Sequence, residues 1–205
     1  MNTADKVSII KTKLGTGSIN IFGLPMSGKD TQGVRLAEAL GAKFLSSGII
    51  IRTKEAETKQ NYTHNGALIP TNVFYEWVLP YFSTPDLQNY PLILSSIGRW
   101  YGEEDTVIDA TAKANHPIKA VILLDLSEDS VTARFETAKT LNDRGNRADD
   151  SDPATFRTRL AEFHTKTLPV LQHYDTLGLL IKVNGDQSRD AVFQELVDKL
   201  YQFLA

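Results

Sequence analysis

The sequence predicts an α/β fold: a five-stranded parallel sheet with helices on both faces. Three observations predict it. Five short apolar runs are spaced along the chain. They are continuous rather than alternating, as expected of strands covered on both sides. The segments between them carry helix signals, and strands alternating with helices make a parallel sheet.

The strands come first. Ser18–Phe22 (SINIF) follows Gly15-Thr16-Gly17, which reads as a flexible joint. Lys43–Leu45 is a brief second strand, and Pro91–Ser95 (PLILS) is the third. Ala120–Leu126 (AVILLDL) is the clearest, and Leu179–Asn184 (LLIKVN) is the fifth. Lys29–Leu40 reads as a helix closed by Gly41, a residue free to adopt the left-handed cap. Asp152-Pro153 reads as an N-cap with proline at the first helical position. Phe156, Leu160, Phe163 and Thr167 then keep helical spacing. The last helix begins near Ser188, with Val192, Phe193, Leu196, Val197, Leu200 and Leu204 on one stripe. Ligands of such sheets bind beyond the carboxyl ends of the strands, so the loops after the strands carry the functional reading.

Composition narrows the classes. The 205 residues suffice for a single domain spanning 1–205, and 41% hydrophobic content suits a packed core. There is no cysteine, which excludes disulfides, thiolate metal sites and a cysteine nucleophile. The formal net charge is −3, from 22 Lys+Arg against 25 Asp+Glu, so a nucleic-acid partner is not expected. No stretch approaches the roughly 18 apolar residues of a membrane span. Met1–Leu14 is polar and lacks the apolar centre of an export signal, so the expected location is the cytoplasm. His64, His116, His164 and His173 have no zinc-ligand spacing, and no serine lies in a Gly-x-Ser-x-Gly elbow. Tyr75, Trp77, Tyr81 and Phe82 read as packing aromatics.

After the first strand comes Gly23-Leu-Pro-Met-Ser-Gly28-Lys29-Asp30-Thr31-Gln32. Its Gly-x4-Gly-Lys core is that of a phosphate-binding loop. Glycines let consecutive backbone N–H groups curl round one anion, and the following helix adds its positive N-terminus. Lys29 supplies a movable ammonium to the outer phosphates. Asp30 stands where such loops usually have a Ser or Thr for Mg²⁺, and its carboxylate would repel phosphate unless a cation lies between.

GLPMSGKDTQ resembles the GxPGxGKGTQ loop of adenylate kinases and related nucleoside monophosphate kinases. The likeness continues in order along the chain. Phe44–Arg52 (FLSSGIIIR) is similar to the family segment ending in TGDxLR, and Gly66–Pro70 (GALIP) to GxLVP. Leu94–Arg99 (LSSIGR) is similar to LDGFPR, Arg147–Asp150 (RADD) to RxDD, and Arg159-Leu160 to a later RL. Pro169–Tyr174 (PVLQHY) and Lys182–Gly185 (KVNG) are similar to the closing motifs.

The resemblance implies a P-loop NTPase-type core with two further parts. One is a monophosphate-binding insert at about 46–77. The other is a short lid at about 134–150, too short for the zinc-ribbon-like lid of some relatives, in keeping with the missing cysteines. It implies a monomer that moves the terminal phosphoryl group of ATP, with Mg²⁺, to a nucleoside monophosphate, AMP above all. The implied ATP contacts are Pro25, Met26, Ser27, Gly28, Lys29, Asp30, Thr31, Arg134 and Gln187. Those of the monophosphate are Ser47, Gly48, Arg52, Ala67, Ile69, Arg99 and Glu103. Lys29, Arg99, Arg134, Arg147 and Arg159 would gather round the transferring group, because a guanidinium can hold two phosphate oxygens at once. The family's second arginine on the first lid helix falls near Ala138 or Lys139 here, and Arg144 is the residue that could serve instead. Asp149 and Asp150 either hold lid arginines or form a polar loop before the Asp152 cap.

Several residues depart from the family pattern. Met26 replaces a loop glycine, Ile49 the aspartate of TGD, and Ser96, Ile97 and Gly98 the GFP triplet. Ser95 stands where the family has the aspartate that holds Mg²⁺ through water; Asp30 is the residue that could take over, also through water. Glu103 or Glu104 falls near the glutamine that reads adenine. Two alternatives therefore stay open: a kinase for a pyrimidine monophosphate, and a nucleotide-binding protein without transfer activity.

Overall fold

The computed structural model describes residues 1–141 and 152–205. In chain order it has α1 (Thr3–Leu14), β1 (Ser18–Gly23), α2 (Lys29–Leu40), β2 (Lys43–Ser46), α3 (Ser47–Thr58) and α4 (Thr71–Trp77). Then come β3 (Leu92–Ser95), α5 (Glu103–Lys113), β4 (Ile118–Asp125), α6 (Glu128–Leu141) and α7 (Pro153–Glu162). A wider helical turn at Phe163–Thr167 joins α7 to α8 (Leu168–Thr176), and β5 (Leu180–Asn184) and α9 (Arg189–Leu204) close the chain.

All strand pairs are parallel, in the order β2-β3-β1-β4-β5. The expected five-stranded parallel sheet is therefore present. β1 is central and wholly buried. Its neighbours β3 and β4 lead to opposite edges, which makes the carboxyl end of β1 the switch point where a crevice opens. The strand ends differ from the apolar runs by one or two residues, because pairing rather than hydropathy sets them. Ser46, outside the second run, is in β2 because it pairs with Ser95.

Asn20 is a polar residue in the middle of this buried strand. Its Nδ2 donates to the Ile97 carbonyl at 2.7 Å, and its Oδ1 accepts the Ile97 N–H at 3.2 Å. A buried amide with both ends bonded fixes whatever it holds. Here that is the loop after β3, where Ser96 and Gly98 both take positive φ, at 52° and 76°.

The helix signals hold at three places. Gly41 caps α2 in the left-handed conformation. Asp152 accepts the N–H groups of Ala154 and Thr155 at the start of α7, and Ser188 that of Ala191 at the start of α9. The N-terminal stretch, to which the sequence reading assigns no element, is a helix over Thr3–Leu14. Asn2 and Asp5 cap each other's backbone N–H, and Ile10 and Leu14 are buried. The helix lies along α9, where Lys6 pairs with Asp198 at 2.8 Å. Gly15-Thr16-Gly17 is a fixed turn and not a flexible joint. The Gly17 N–H donates to Leu14 O at 2.8 Å, and His116 Nδ1 donates to Thr16 O at 2.9 Å.

Trp77 and Phe82 are buried in the core, as expected of packing aromatics. Among the described residues, no helix is long and apolar enough to cross a membrane.

Candidate functional site

Three cavities share walls at the carboxyl end of the sheet. The central one, about 470 Å³, is lined by the loop after β1, by Lys29, Asp30 and Thr31, and by Ser47, Gly48 and Arg52 of α3. Ser95, Ser96, Arg99, Arg159 and Arg189 complete it. A smaller cavity of about 80 Å³ opens beside it between Arg52, Thr63, Ala67, Ile69, Trp100 and Glu103. A third, about 530 Å³, lies on the other side between Ser27, Gln32, Arg134 and Gln187. Every described residue expected in the site lines one of the three. Arg144, Arg147, Asp149 and Asp150 lie outside the described residues, as does most of the expected lid.

The first turn of α2 forms the floor of the central cavity. Gly28 caps that helix with φ at 88°, so the loop turns sharply into Lys29. Met26 also has positive φ, at 67°. This is a conformation that side chains rarely adopt and glycine adopts freely.

Arg52 passes close to Gly48 on its way into the cavity. A Cβ on Gly48 would stand 3.1 Å from Arg52 Nη1. Ser47 fastens this turn to the sheet, its Oγ donating to the carbonyls of Ser95 at 3.2 Å and Ser96 at 2.9 Å. Gly66, with φ at 79°, meets α7 at close range; a Cβ there would come within 2.7 Å of the Thr155 carbonyl. This contact seats the Ala67–Ile69 wall against the helix that carries Arg159.

Arg99 is held by its backbone. Glu103 Oε2 accepts the N–H groups of Arg99 at 2.8 Å and Trp100 at 3.0 Å. The Glu103 side chain is therefore engaged in building the loop. Burial pushes its carboxyl above the usual carboxylate range, against the pull of those N–H groups and the Thr71 hydroxyl. Arg99 Nε is buried with no hydrogen-bond partner. Burial first, and then the neighbouring Arg159, bring the Arg99 guanidinium down to about 10, with Glu162 and Glu103 opposing. Two cations so close, one with an unmet donor, make a site that an anion would complete.

Arg134 faces the third cavity in a different way. Its Nη1 donates to the Ser27 carbonyl at 3.2 Å and its Nη2 to the Gly185 carbonyl at 2.8 Å. In this conformation it clamps the phosphate loop to the β5–α9 turn. Across the cleft, Ser95 Oγ donates to Asp30 Oδ1 at 2.5 Å.

Trp100 and Arg189 are among the lining residues that escape sequence reasoning. Trp100 is a wall of the small cavity, with no motif to mark it. Arg189 lines both the central and the third cavity. It had a legible signal: it is the first residue of α9, where the helix dipole disfavours a cation.

The arrangement offers a phosphate cradle between two further cavities, with cations facing inward. The family model described as adenylate kinase matches residues 21–179. An adenylate kinase of Chlamydia caviae is 28% identical over 202 residues, covering 86% of this chain and 94% of that protein. One of Agrobacterium fabrum is 29% identical, covering 85% of this chain and 93% of that protein. One of Nocardia farcinica is 30% identical, covering 84% and 92%. A match over most of the chain, together with this fold and cleft, means that the chain belongs to the adenylate kinase family of phosphotransferases, the nucleoside monophosphate kinases.

Proposed function

We propose that the protein transfers the terminal phosphoryl group of ATP to AMP, giving two ADP. The observation that carries this reading is that the central cavity shares lining residues with each of the two flanking ones. Lys29, Arg52, Arg99 and Arg159 converge on the central one, and each flanking cavity opens onto it. AMP as acceptor is favoured by the name that the similar proteins of Chlamydia caviae and Agrobacterium fabrum carry.

In this reading the third cavity takes the ATP base, near Arg134 and Gln187. The P-loop N–H groups and Lys29 hold its phosphates. The small cavity takes the acceptor nucleoside, between Ala67, Ile69 and Glu103. Arg52 and Arg99 grip the acceptor phosphate and aim one of its oxygens at the terminal phosphorus of ATP. No side-chain base is needed, because that oxygen is already an anion. Catalysis comes from in-line alignment and from cations fixed in place before charge spreads over the transferring group. Asp30 and Ser95 are hard oxygen donors in the cavity wall, a donor type that suits Mg²⁺ and its retained waters. When bound with ATP, Mg²⁺ supplies charge neutralisation at the phosphates.

Diphosphate formation is to be measured with ATP·Mg²⁺ and, separately, AMP, GMP, CMP and UMP. Turnover with AMP is expected. Turnover only with CMP or UMP would overturn the acceptor. No turnover with any of them, alongside ATP binding, would overturn transfer itself. In the same assay, Lys29→Ala should lose at least about a hundredfold in kcat while staying folded.

A further inference from the structure

Asn20 lies in β1 between Ile19 and Ile21 and is wholly buried. Burying an amide costs free energy unless its ends are hydrogen-bonded. Both ends are bonded, and to a single residue: Nδ2 donates to the Ile97 carbonyl at 2.7 Å, and Oδ1 accepts the Ile97 N–H at 3.2 Å.

The loop after β3 gives these two bonds a purpose. β1 and β3 pair as far as Ile21 and Ser95, and the Ser96 N–H then donates to the Ile21 carbonyl at 2.9 Å. Ile97 comes next and is fully buried, so its N–H and carbonyl need partners beyond the end of the ladder. Asn20 supplies both. Gly98, on the far side of Ile97, stands where the family pattern has a proline. Proline fixes φ, whereas glycine is the freest residue. The loop lacks that lock, and the Asn20 amide holds the residue just before it.

Arg99 follows directly. Its N–H is held from the other side by Glu103 of α5, and its Nε is buried with no hydrogen-bond partner. Arg99 is therefore strung between one fixed point on β1 and another on α5. β1 itself runs into the phosphate loop at Gly23. One strand thus carries the phosphate loop at its end and the anchor of the Arg99 loop in its middle.

Resting on the phosphotransferase reading above, we propose that Asn20 is a positioning residue for the transfer. By fixing Ile97 to β1, it sets the distance between the Arg99 guanidinium and the phosphate loop. The two reacting phosphates would be gripped from these two places. Transfer is steep in that distance, since a misplacement of about 1 Å can cost about a hundredfold in rate.

Asn20→Leu keeps the approximate shape of the side chain and removes both bonds. The folded variant should lose about tenfold to a hundredfold in kcat/KM for the monophosphate that the wild type accepts. Its affinity for ATP, measured by calorimetry, should stay unchanged. Amide hydrogen exchange gives a local readout: the Ile97 amide should exchange faster, while the Ser96 amide keeps its protection. Asn20→Asp gives a second test. A protonated carboxyl can donate to the Ile97 carbonyl and accept the Ile97 N–H, as the amide does, whereas an ionised one repels that carbonyl. Acceptor kcat/KM of this variant should approach the wild type at acid pH and fall as pH rises, along a limb that the wild type lacks. The profile is taken over the range in which circular dichroism shows the variant folded. The phenol of Tyr174 neighbours Asn20, but burial pushes it well above its usual range, so it adds no such limb. If Asn20→Leu does not fold, the Asn20→Asp profile decides. Wild-type acceptor kinetics in folded Asn20→Leu, equal weakening of ATP and acceptor, or an Asn20→Asp profile of wild-type shape would overturn the role. Absence of turnover by the wild type with every monophosphate would overturn the phosphotransferase reading, and the positioning role with it.

Discussion

The indole N–H of Trp100 donates to the carbonyl of Ile69 at 3.1 Å, and the ammonium of Lys166 lies 3.9 Å from the centre of the same ring. Lys166 also pairs with Glu162 at 2.6 Å, and Glu162 Oε2 accepts the Leu68 N–H at 3.2 Å. The loop after β3, the Gly66–Pro70 segment and the α7–α8 helices are thereby tied into one wall of the small cavity.

Trp100→Phe keeps a ring beneath Lys166 and removes the hydrogen bond to Ile69. The loss should be about 1 kcal/mol, or roughly fivefold in acceptor KM. The KM for ATP should stay unchanged, because Trp100 lines the small cavity and neither of the other two. Steady-state kinetics with each substrate varied in turn checks this. An equal rise in both KM values would mean that the wall serves general stability instead.

Glu103 makes a prediction about pH. Its carboxyl is raised above the usual range, chiefly by burial. The folded state therefore holds that proton more tightly than the unfolded chain does. Stability from this group is present at acid pH and is lost as pH rises from the unfolded value through the folded one. Glu103→Gln removes the buried charge and keeps a side-chain oxygen that can accept from Arg99 and Trp100. It should raise the melting temperature near neutral pH and change it little at acid pH. Thermal unfolding across pH tests the sign. Greater destabilisation at neutral pH than at acid pH would show that the ionised form is the one the loop needs.

Most of the architecture is legible in the sequence because its signals are local. The strands are apolar runs, and Gly41, Asp152 and Ser188 mark helix ends where the backbone demands them. The first helix is harder to see. Its stripe is thin, only Ile10 and Leu14 being fully buried, and its clearest signal is the Asn2–Asp5 cap. The site divides in the same way. The phosphate loop and the arginine motifs can be read in order along the chain. The Asp30–Ser95 contact cannot, because nothing local in either residue encodes a partner across the sheet. Glu103 falls at an expected position, but its engagement with the Arg99 and Trp100 backbone depends on the turn between them.

Arg99 and Arg159 make a second prediction about pH. Burial and the neighbouring cation bring Arg99 down to about 10. It is protonated below that value and loses its charge above it. The kcat/KM for the acceptor reports the free enzyme, so it should fall as pH rises past about 10. Arg159→Gln removes the repulsion and should move that falling limb upward, even as it lowers the plateau. A limb at the same pH in both proteins would mean that Arg159 does not act on Arg99.

Arg189 offers the sharpest division between the two substrates. It lines the central and third cavities and not the small one proposed for the acceptor. Its backbone is anchored: the Arg189 carbonyl accepts from Gln32 Nε2 at 2.8 Å and from Arg35 Nη1 at 3.0 Å. The exposed side chain thus springs from a fixed point beside the phosphate loop. A cation at the first position of a helix opposes the dipole, so it costs stability unless an anion comes to meet it. Arg189→Ala should therefore raise the melting temperature slightly. It should also raise the KM for ATP by roughly fivefold, the size of an exposed charge contact of about 1 kcal/mol. Acceptor KM should not move, and Arg189→Lys should recover part of the loss. If the alanine variant weakened both substrates alike, Arg189 would be part of the frame of the cleft and not a contact for ATP.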